Sequence, residues 1–303
     1  MKKFVALMLA LVMVLALCAC GGNNDPKPTE EAKDYSSMTL DQLKAELKTV
    51  NEGKLTIATS PDFAPYEFYH VDENGNATLV GFDIAFAQYI ADKLGLELEM
   101  VPVDFDGTLA ELGAKKCDLG MAGYSPDPDR ANLMNFSKIY YEGGQCFITS
   151  KANADKIKSL DDANNSQYKI GAQTGSIQSK LAKQNTPDAD NIDLSKVPDV
   201  IAEVISGKLD GAFMETIVAK SYQAQYPEIA IVCDVPYEQE GSAIGVNKDN
   251  EVLLAALNLI IDEAINDGSL QKFVDEAGIL AIGNKYEGLL DDAGKVPAAD
   301  TAA

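Results

Sequence analysis

The chain has 303 residues, a formal charge of −22, 46% hydrophobic and 24% charged residues, five cysteines and one histidine. That composition builds a folded core and excludes disorder for the body of the chain; it also excludes nucleic acid as a partner, because phosphates need clustered Lys and Arg and no basic stripe is present. The length suits two lobes of ordinary size once a removable end is subtracted.

The opening MKKFVALMLALVMVLALCAC places Lys2 and Lys3 before an apolar run from Phe4 to Leu17, followed by small residues and cysteine. This is the three-part plan of an export signal, and it is too short for a membrane span. Leu17-Cys18-Ala19-Cys20-Gly21 resembles a bacterial lipobox. The resemblance implies a signal peptide of residues 1–19, a lipid on Cys20, and an extracytoplasmic protein anchored to the cell membrane, on the periplasmic face where there are two membranes. An ordinary signal peptide cut nearby is the plainer alternative. Residues 20–38, rich in Gly, Pro, Asn and charge, read as a flexible tether. Thr39-Leu40-Asp41-Gln42 has capping-box form, so residues 39–52 hold an accessory helix with Leu40, Leu43 and Leu47 on one stripe.

From Lys54 short apolar runs alternate with amphipathic helices. The pattern predicts a strand at 55–60, a helix at 82–95 closing on Gly95, a strand at 96–103, a helix at 107–116 and a strand at 117–123. A second series follows, with strand and loop at 169–175, helices at 176–184 and 197–208, a strand at 209–216, a helix at 217–227 and a strand at 229–235. A strand returns at 242–248, a helix runs from Glu251 to Asp267 and ends at Gly268, and Ser269 starts another of about eight residues. Such alternation predicts an α/β fold with parallel sheets covered by helices on both faces. Two Rossmann-like lobes joined by two hinge crossings would leave a ligand cleft between them, with lobe 1 at 53–142 and 243–280, lobe 2 at 143–242, and a C-terminal tail at 281–303. Gly143, Gly144 and Gly241 are hinge candidates or ordinary loop glycines in equal measure.

Cys117, Cys146 and Cys233 have no CxxC or metal-type spacing and read as buried thiols, with a Cys146–Cys233 disulfide as the lesser reading. No metal and no cofactor is expected. His70, beside the turn Asp72-Glu73-Asn74-Gly75, reads as a surface residue rather than a catalytic base. Twenty-four lysines stand against one arginine, Arg130, at the end of GYSPDPDR (123–130) and just after a predicted strand, where open α/β sheets place their ligands. A surface charge is the bland account of it.

TSPDFAPYEF (59–68), LVGFDIAFAQYIADKLG (79–95), DLGMAGYSPDPDR (118–130), FSKIYYEGG (136–144), GAQTGSIQ (171–178) and DGAFMET (210–216) fall in one register. In order and spacing the set resembles the extracytoplasmic amino-acid-binding proteins of ABC importers, family 3 of the type II periplasmic-binding-protein fold, over Lys54 to Gly278. The resemblance implies that Arg130 grips an α-carboxylate, helped by Ser125, with the Gly123 carbonyl and Glu215 taking the ammonium. A guanidinium suits that task because its planar fork matches a carboxylate. It also implies that the turn Gly175-Ser176-Ile177 offers N–H groups to an anion, and that Phe63 and Phe105 form aromatic walls. Tyr124, Tyr66 and Asp62 are candidates for the side-chain pocket. Glu215 stands where Asp is commoner, Ser60 replaces an acidic selector, and Gly171 replaces the lysine of a glutamine-binding subset, so glutamine is not supported. The implied function is capture of a free amino acid and its delivery to ABC permease subunits by a monomeric lipoprotein that is not an enzyme. A dehydratase-like enzyme on the same fold and a ligand-sensing module are the alternatives.

Overall fold

The computed structural model describes residues 34–72, 74–237 and 241–282. The export signal, Cys20, the tether before residue 34 and the tail from residue 283 lie outside the described residues. In chain order the elements are α1 (Leu40–Glu46), β1 (Lys54–Thr59), β2 (Asp62–Phe63), β3 (Glu67–Val71), β4 (Ala77–Val80), α2 (Phe82–Leu94), β5 (Glu97–Pro102), α3 (Phe105–Gly113) and β6 (Leu119–Gly120). A 3-10 turn at Pro128–Arg130 leads to β7 (Met134–Tyr141), β8 (Gln145–Ser150), α4 (Leu160–Ala163), β9 (Lys169–Gln173), α5 (Ile177–Asn185), β10 (Asp190–Leu194) and α6 (Val197–Ser206). The remainder is β11 (Gly211–Glu215), α7 (Thr216–Gln225), β12 (Ile229–Val235), β13 (Ser242–Asn247), α8 (Glu251–Asn266) and α9 (Ser269–Ile282).

Local chemistry sets the ends of these elements. Thr39 and Gln42 form the expected capping box at α1, whose Leu43 is fully buried as the helix packs on α8. Gly95 and Gly207 close α2 and α6 in the left-handed conformation, which costs glycine nothing. α6 shows its apolar stripe at Val197, Val200, Ile201 and Val204, all buried. Full burial of each such side chain contributes about 1.5–3 kcal/mol. Gly171 on β9 lies so close beneath α6 that an added Cβ would stand 2.5 Å from Leu209 Cδ1 and 3.3 Å from Val200 Cγ1. A side chain at 171 would therefore require Leu209 and Val200 to shift.

One five-stranded sheet has the order β5-β1-β6-β13-β7 and another β10-β9-β11-β8-β12; a small sheet β2-β3-β4 stands apart. The sheets are not wholly parallel, which corrects the expectation. β5, β1 and β6 run parallel, but β13 is antiparallel to β6 and β7. In the second sheet β10, β9 and β11 run parallel, whereas β8 is antiparallel to β11 and β12. The physical reason is the double crossing. The chain passes from β7 to β8 and back from β12 to β13, and the strand that receives each crossing, β8 or β13, is the one that runs against its neighbours.

Other expectations shift in detail. The strand expected over 117–123 shrinks to Leu119–Gly120 because the backbone then leaves the sheet as a loop. The last helix runs through Ile282, so residues 281 and 282 belong to it and not to a tail. His70 lies near the end of β3, beside the turn as expected, but is half-buried with its Nδ1 enclosed rather than at the surface. The three thiols are free. Cys146 pairs in register with Asp234, and Cys233 with Phe147. Adjacent positions on a strand face opposite sides of the sheet, so the two sulfurs point apart.

Candidate functional site

Four loops leave the C-terminal ends of parallel strands and converge on the seam between the two large sheets. They follow β1, β6, β9 and β11, where a doubly wound sheet presents its ligand-binding edge. After β6 the loop carries Gly123 with φ +57°, a conformation that favours glycine, and an added Cβ there would lie 2.8 Å from Phe63 Cε1. Asp127 then caps the 3-10 turn by accepting from Asp129 N, which aims Arg130 back toward the seam.

Arg130 is buried, 7% exposed. Its Nη2 donates across the seam to Gly175 O at 2.9 Å, while Nη1 is enclosed and has no partner among the described residues. The guanidinium lies over the rings of Phe105 (5.7 Å) and Tyr124 (6.0 Å). Burial pulls its pKa down from the ordinary value, yet a guanidinium stays protonated in any protein. The result is a fixed cation with one half of its fork held and the other half free to donate.

Glu215, the last residue of β11, makes the reciprocal reach. Its Oε2 accepts from Ile217 N (2.7 Å) and Val218 N (3.1 Å), capping α7, while Oε1 faces Tyr66 OH of the first lobe at 3.5 Å. Burial pushes its carboxyl up to about 7, although the helix N–H groups oppose the shift. Gly143, on the β7–β8 crossing, touches the same carboxylate: an added Cβ would stand 2.6 Å from Glu215 Oε1 and 3.2 Å from Tyr66 OH. Gly143 is thus a close-approach glycine. Gly241, on the return crossing, has φ +106° and backs onto Ile139 and Tyr141 O.

Phe63 and Phe105 are buried on this seam, 7% exposed each. Ser125 is buried two residues beyond Gly123. Ser176 spends its hydroxyl on Gln173 O and on capping α5, and Ile177 packs its side chain on the second-lobe core beside Phe147 and Phe213. Ser176 N donates to Gln173 O (3.3 Å), which leaves the Ile177 N–H at the helix start for an anion.

Tyr124, a candidate for the side-chain pocket, turns its ring into the first lobe. Its ring fills the space that Gly120 and Gly245 leave open, its hydroxyl donates to Thr108 Oγ1, and it is fully buried in the first lobe. Its part is to floor the Arg130 guanidinium. Tyr66 is likewise fully buried, sharing a 2.8 Å hydrogen bond with Ser242 beside Glu215.

Asp62 bridges the lobes. It accepts from Ser60 Oγ (2.9 Å), Gln173 Nε2 (3.2 Å) and Val197 N (3.0 Å). A second link lies at the rim, where Lys180 Nζ donates to Asp127 (3.0 Å) and Asp129 (2.5 Å). Beneath the Gly123 loop sits an acid pair that sequence reasoning missed. Asp83 accepts from Tyr140 OH (2.6 Å) and Gly123 N (3.2 Å), and Glu67, fully buried, lies beside it with no partner for either carboxyl oxygen among the described residues. Burial, and then the Asp83 charge, raise Glu67 well above the usual carboxylate range. The signal was present in the sequence as a carboxylate inside the aromatic run Tyr66-Glu67-Phe68-Tyr69 and another inside Gly81-Phe82-Asp83.

Two α/β lobes, with a buried arginine and a buried glutamate each reaching across the seam, define a two-lobed binding protein. The chain belongs to the bacterial extracellular solute-binding proteins, family 3, whose model matches residues 55–277. It is similar to the arginine-binding extracellular protein ArtP of Bacillus subtilis (strain 168), at 30% identity over 276 residues that cover 90% of this chain and 96% of that one. Among solved structures it is similar to the amino acid ABC transporter substrate-binding protein AbpA from Streptococcus pneumoniae bound to L-arginine, at 32% identity and a TM-score of 0.73, covering 80% of this chain and 99% of that one. The ancestral amino-acid-binding protein AncCDT-1, a precursor of cyclohexadienyl dehydratase, matches at 31% identity and a TM-score of 0.66, covering 79% and 99%. Family membership places the folded body outside the cytoplasm. Among the described residues, no helix is long and apolar enough to cross a membrane.

Proposed function

We propose that the chain captures a free amino acid between its lobes and delivers it to the permease of an ABC importer. The observation that carries this reading is the enclosed, unpartnered Nη1 of Arg130, whose Nη2 is already held by the opposite lobe. A buried donor of fixed charge calls for an anionic partner, and an α-carboxylate matches its plane. Glu215 Oε1 supplies the acceptor for the α-ammonium, and Gly123, Ser125 and the Gly175-Ser176-Ile177 turn supply backbone groups. Phe63 and Phe105 wall the ligand. The relatives support the class of ligand, since ArtP is named for arginine binding and AbpA holds L-arginine.

Lobe 1 comprises residues 53–142 and 243–280 and lobe 2 residues 143–242, with the crossings near Gly143 and Gly241 as hinges. A lipid on Cys20 holds the monomeric receptor beside its permease, and residues 20–38 give it reach. The chain is a receptor rather than an enzyme, a reading supported by relatives that are named as binding proteins. Calorimetric titration of protein freed of co-purified ligand against the twenty amino acids tests the reading. Heat with one or a few is the expected result, and no heat with any of them overturns it.

A further inference from the structure

Two fully buried carboxyls of the first lobe take no direct part in holding a ligand. Glu67 and Asp83 have no exposed surface, and Asp83 N donates to Tyr66 O (2.9 Å), which presses the start of α2 against the chain at Glu67. Their hydrogen bonds are unequal. Asp83 Oδ2 accepts from Gly123 N (3.2 Å) and Oδ1 from Tyr140 OH (2.6 Å), and the residue stands in the first turn of α2, where the helix dipole favours a negative charge. Neither oxygen of Glu67 has a partner, and no basic side chain is bonded to either carboxyl among the described residues.

Two like charges buried side by side without a cation cannot both persist, so one proton stays with the pair. The donors decide where. Burial raises both groups, Glu67 well above the usual range and then further through the Asp83 and Asp62 charges, but Asp83 only to about 6, because the bonds from Tyr140 and Gly123 oppose the shift. A protonated Glu67 has one O–H to place, and each Asp83 oxygen has room for a second hydrogen bond. The pair also sits where two walls of the cleft meet. Glu67 is in register with Phe63 across β2 and β3, and an added Cβ at Gly123 would stand 2.8 Å from Phe63 Cε1. Asp83 thus fastens the loop that leads to Ser125 and Arg130 beside the strand that carries Phe63, and through Tyr140 it reaches the end of β7, just before the Gly143 crossing.

We propose that Glu67 and Asp83 share one proton, which stays on Glu67, and that the ionised Asp83 is a positioning residue that holds the Gly123 loop in its ligand-binding shape. The role in binding rests on the amino-acid reading of the cleft; the place of the proton does not. The competing account is plain packing, in which both side chains fill space and no charge is needed. The two accounts part on isosteres. Glu67→Gln keeps a neutral donor beside Asp83, whereas Asp83→Asn removes the charge and turns one acceptor into an N–H₂ that must face Gly123 N or Tyr140 OH.

The experiment uses the full mature chain, freed of ligand. Infrared spectra at about pH 8.5, where Asp62, Asp83 and Glu215 are ionised, show the C=O band of a protonated carboxyl, and Glu67→Gln removes it. Amide hydrogen exchange at Gly123 quickens by about tenfold or more in Asp83→Asn and stays within about threefold of wild type in Glu67→Gln. Calorimetry with the twenty amino acids follows the same order, with affinity lost by about tenfold or more in Asp83→Asn and kept within about threefold in Glu67→Gln. A wild-type protein without the band overturns the proposal whether or not Asp83→Asn folds, and so do two variants that loosen Gly123 alike. Unchanged affinity in a folded Asp83→Asn overturns the positioning role. If the wild-type protein binds no amino acid, the receptor reading falls, while the band and the Gly123 exchange still decide the acid pair.

Discussion

Replacing Arg130 by alanine weakens amino-acid binding by at least tenfold, a loss of about 1.4 kcal/mol or more. The size follows from what the guanidinium touches. Nη2 is bonded to Gly175 O across the seam, Nη1 is enclosed, and the cation is seated over Phe105 and Tyr124. Truncation leaves a ligand carboxylate buried without its partner and removes one of the bonds that bring the second lobe over it. Losing one member of a buried, hydrogen-bonded charge pair typically costs about 2–5 kcal/mol. Arg130→Lys falls between the two, because an ammonium is a point charge that cannot hold Gly175 O and the carboxylate in one plane. Calorimetry on the two variants, with thermal melts to confirm folding, measures the effect. Unchanged affinity in Arg130→Ala would remove that residue from the site.

Acidification weakens binding through Glu215. Its carboxyl in the free protein titrates at about 7, burial being the main cause, and only the carboxylate pairs with an ammonium. Below that pH, binding must expel a proton, so affinity is level above neutrality and falls by up to tenfold per pH unit beneath it. Between pH 7.5 and pH 5.5 the dissociation constant rises roughly tenfold or more. Proton release measured by calorimetry in buffers of different ionisation enthalpy reports the same event. Glu215→Gln binds weakly and shows a flat profile over this range; a flat profile in the wild-type protein would contradict the assignment. In the absence of ligand the sign reverses. A carboxyl raised by folding binds a proton that the unfolded chain releases near its ordinary value, so this group's contribution to folding stability is fully present at low pH. It is lost as pH rises from about 4.5 to about 7. Ligand and acid therefore compete for one oxygen pair.

The elements most legible in the sequence are those whose ends carry their own chemistry. α2 shows its apolar face and stops at Gly95, whose φ of 74° only glycine adopts freely, and β12 is bounded by turn residues and matches Ile229–Val235. The strands of the small β2-β3-β4 sheet were not legible, because two of them are four residues or fewer and β4 is only half-covered. β8 was missed for the opposite reason. All six of its residues are buried, so no alternation marks it, and its antiparallel sense depends on crossings that no local pattern encodes.

The candidate site was legible where composition was unusual and illegible where geometry decides. Arg130 is the one arginine among twenty-five basic residues, and the structure buries it. Tyr124, next to it in the motif, had equal claim on the pocket from sequence alone. Only the missing side chains of Gly120 and Gly245, distant in the chain, show that its ring turns inward. Asp62 and Glu67 read alike as carboxylates near β2, yet one faces the second lobe and the other is sealed against Asp83.

The most direct test of the clamp is a crystal structure of the protein with its amino acid bound. The account predicts the ligand's carboxylate within hydrogen-bond distance of Arg130 Nη1 and its ammonium on Glu215 Oε1, with Phe63 and Phe105 on either side. A ligand whose carboxylate lies away from Arg130, or whose ammonium is met by another residue while Glu215 only caps α7, would contradict it.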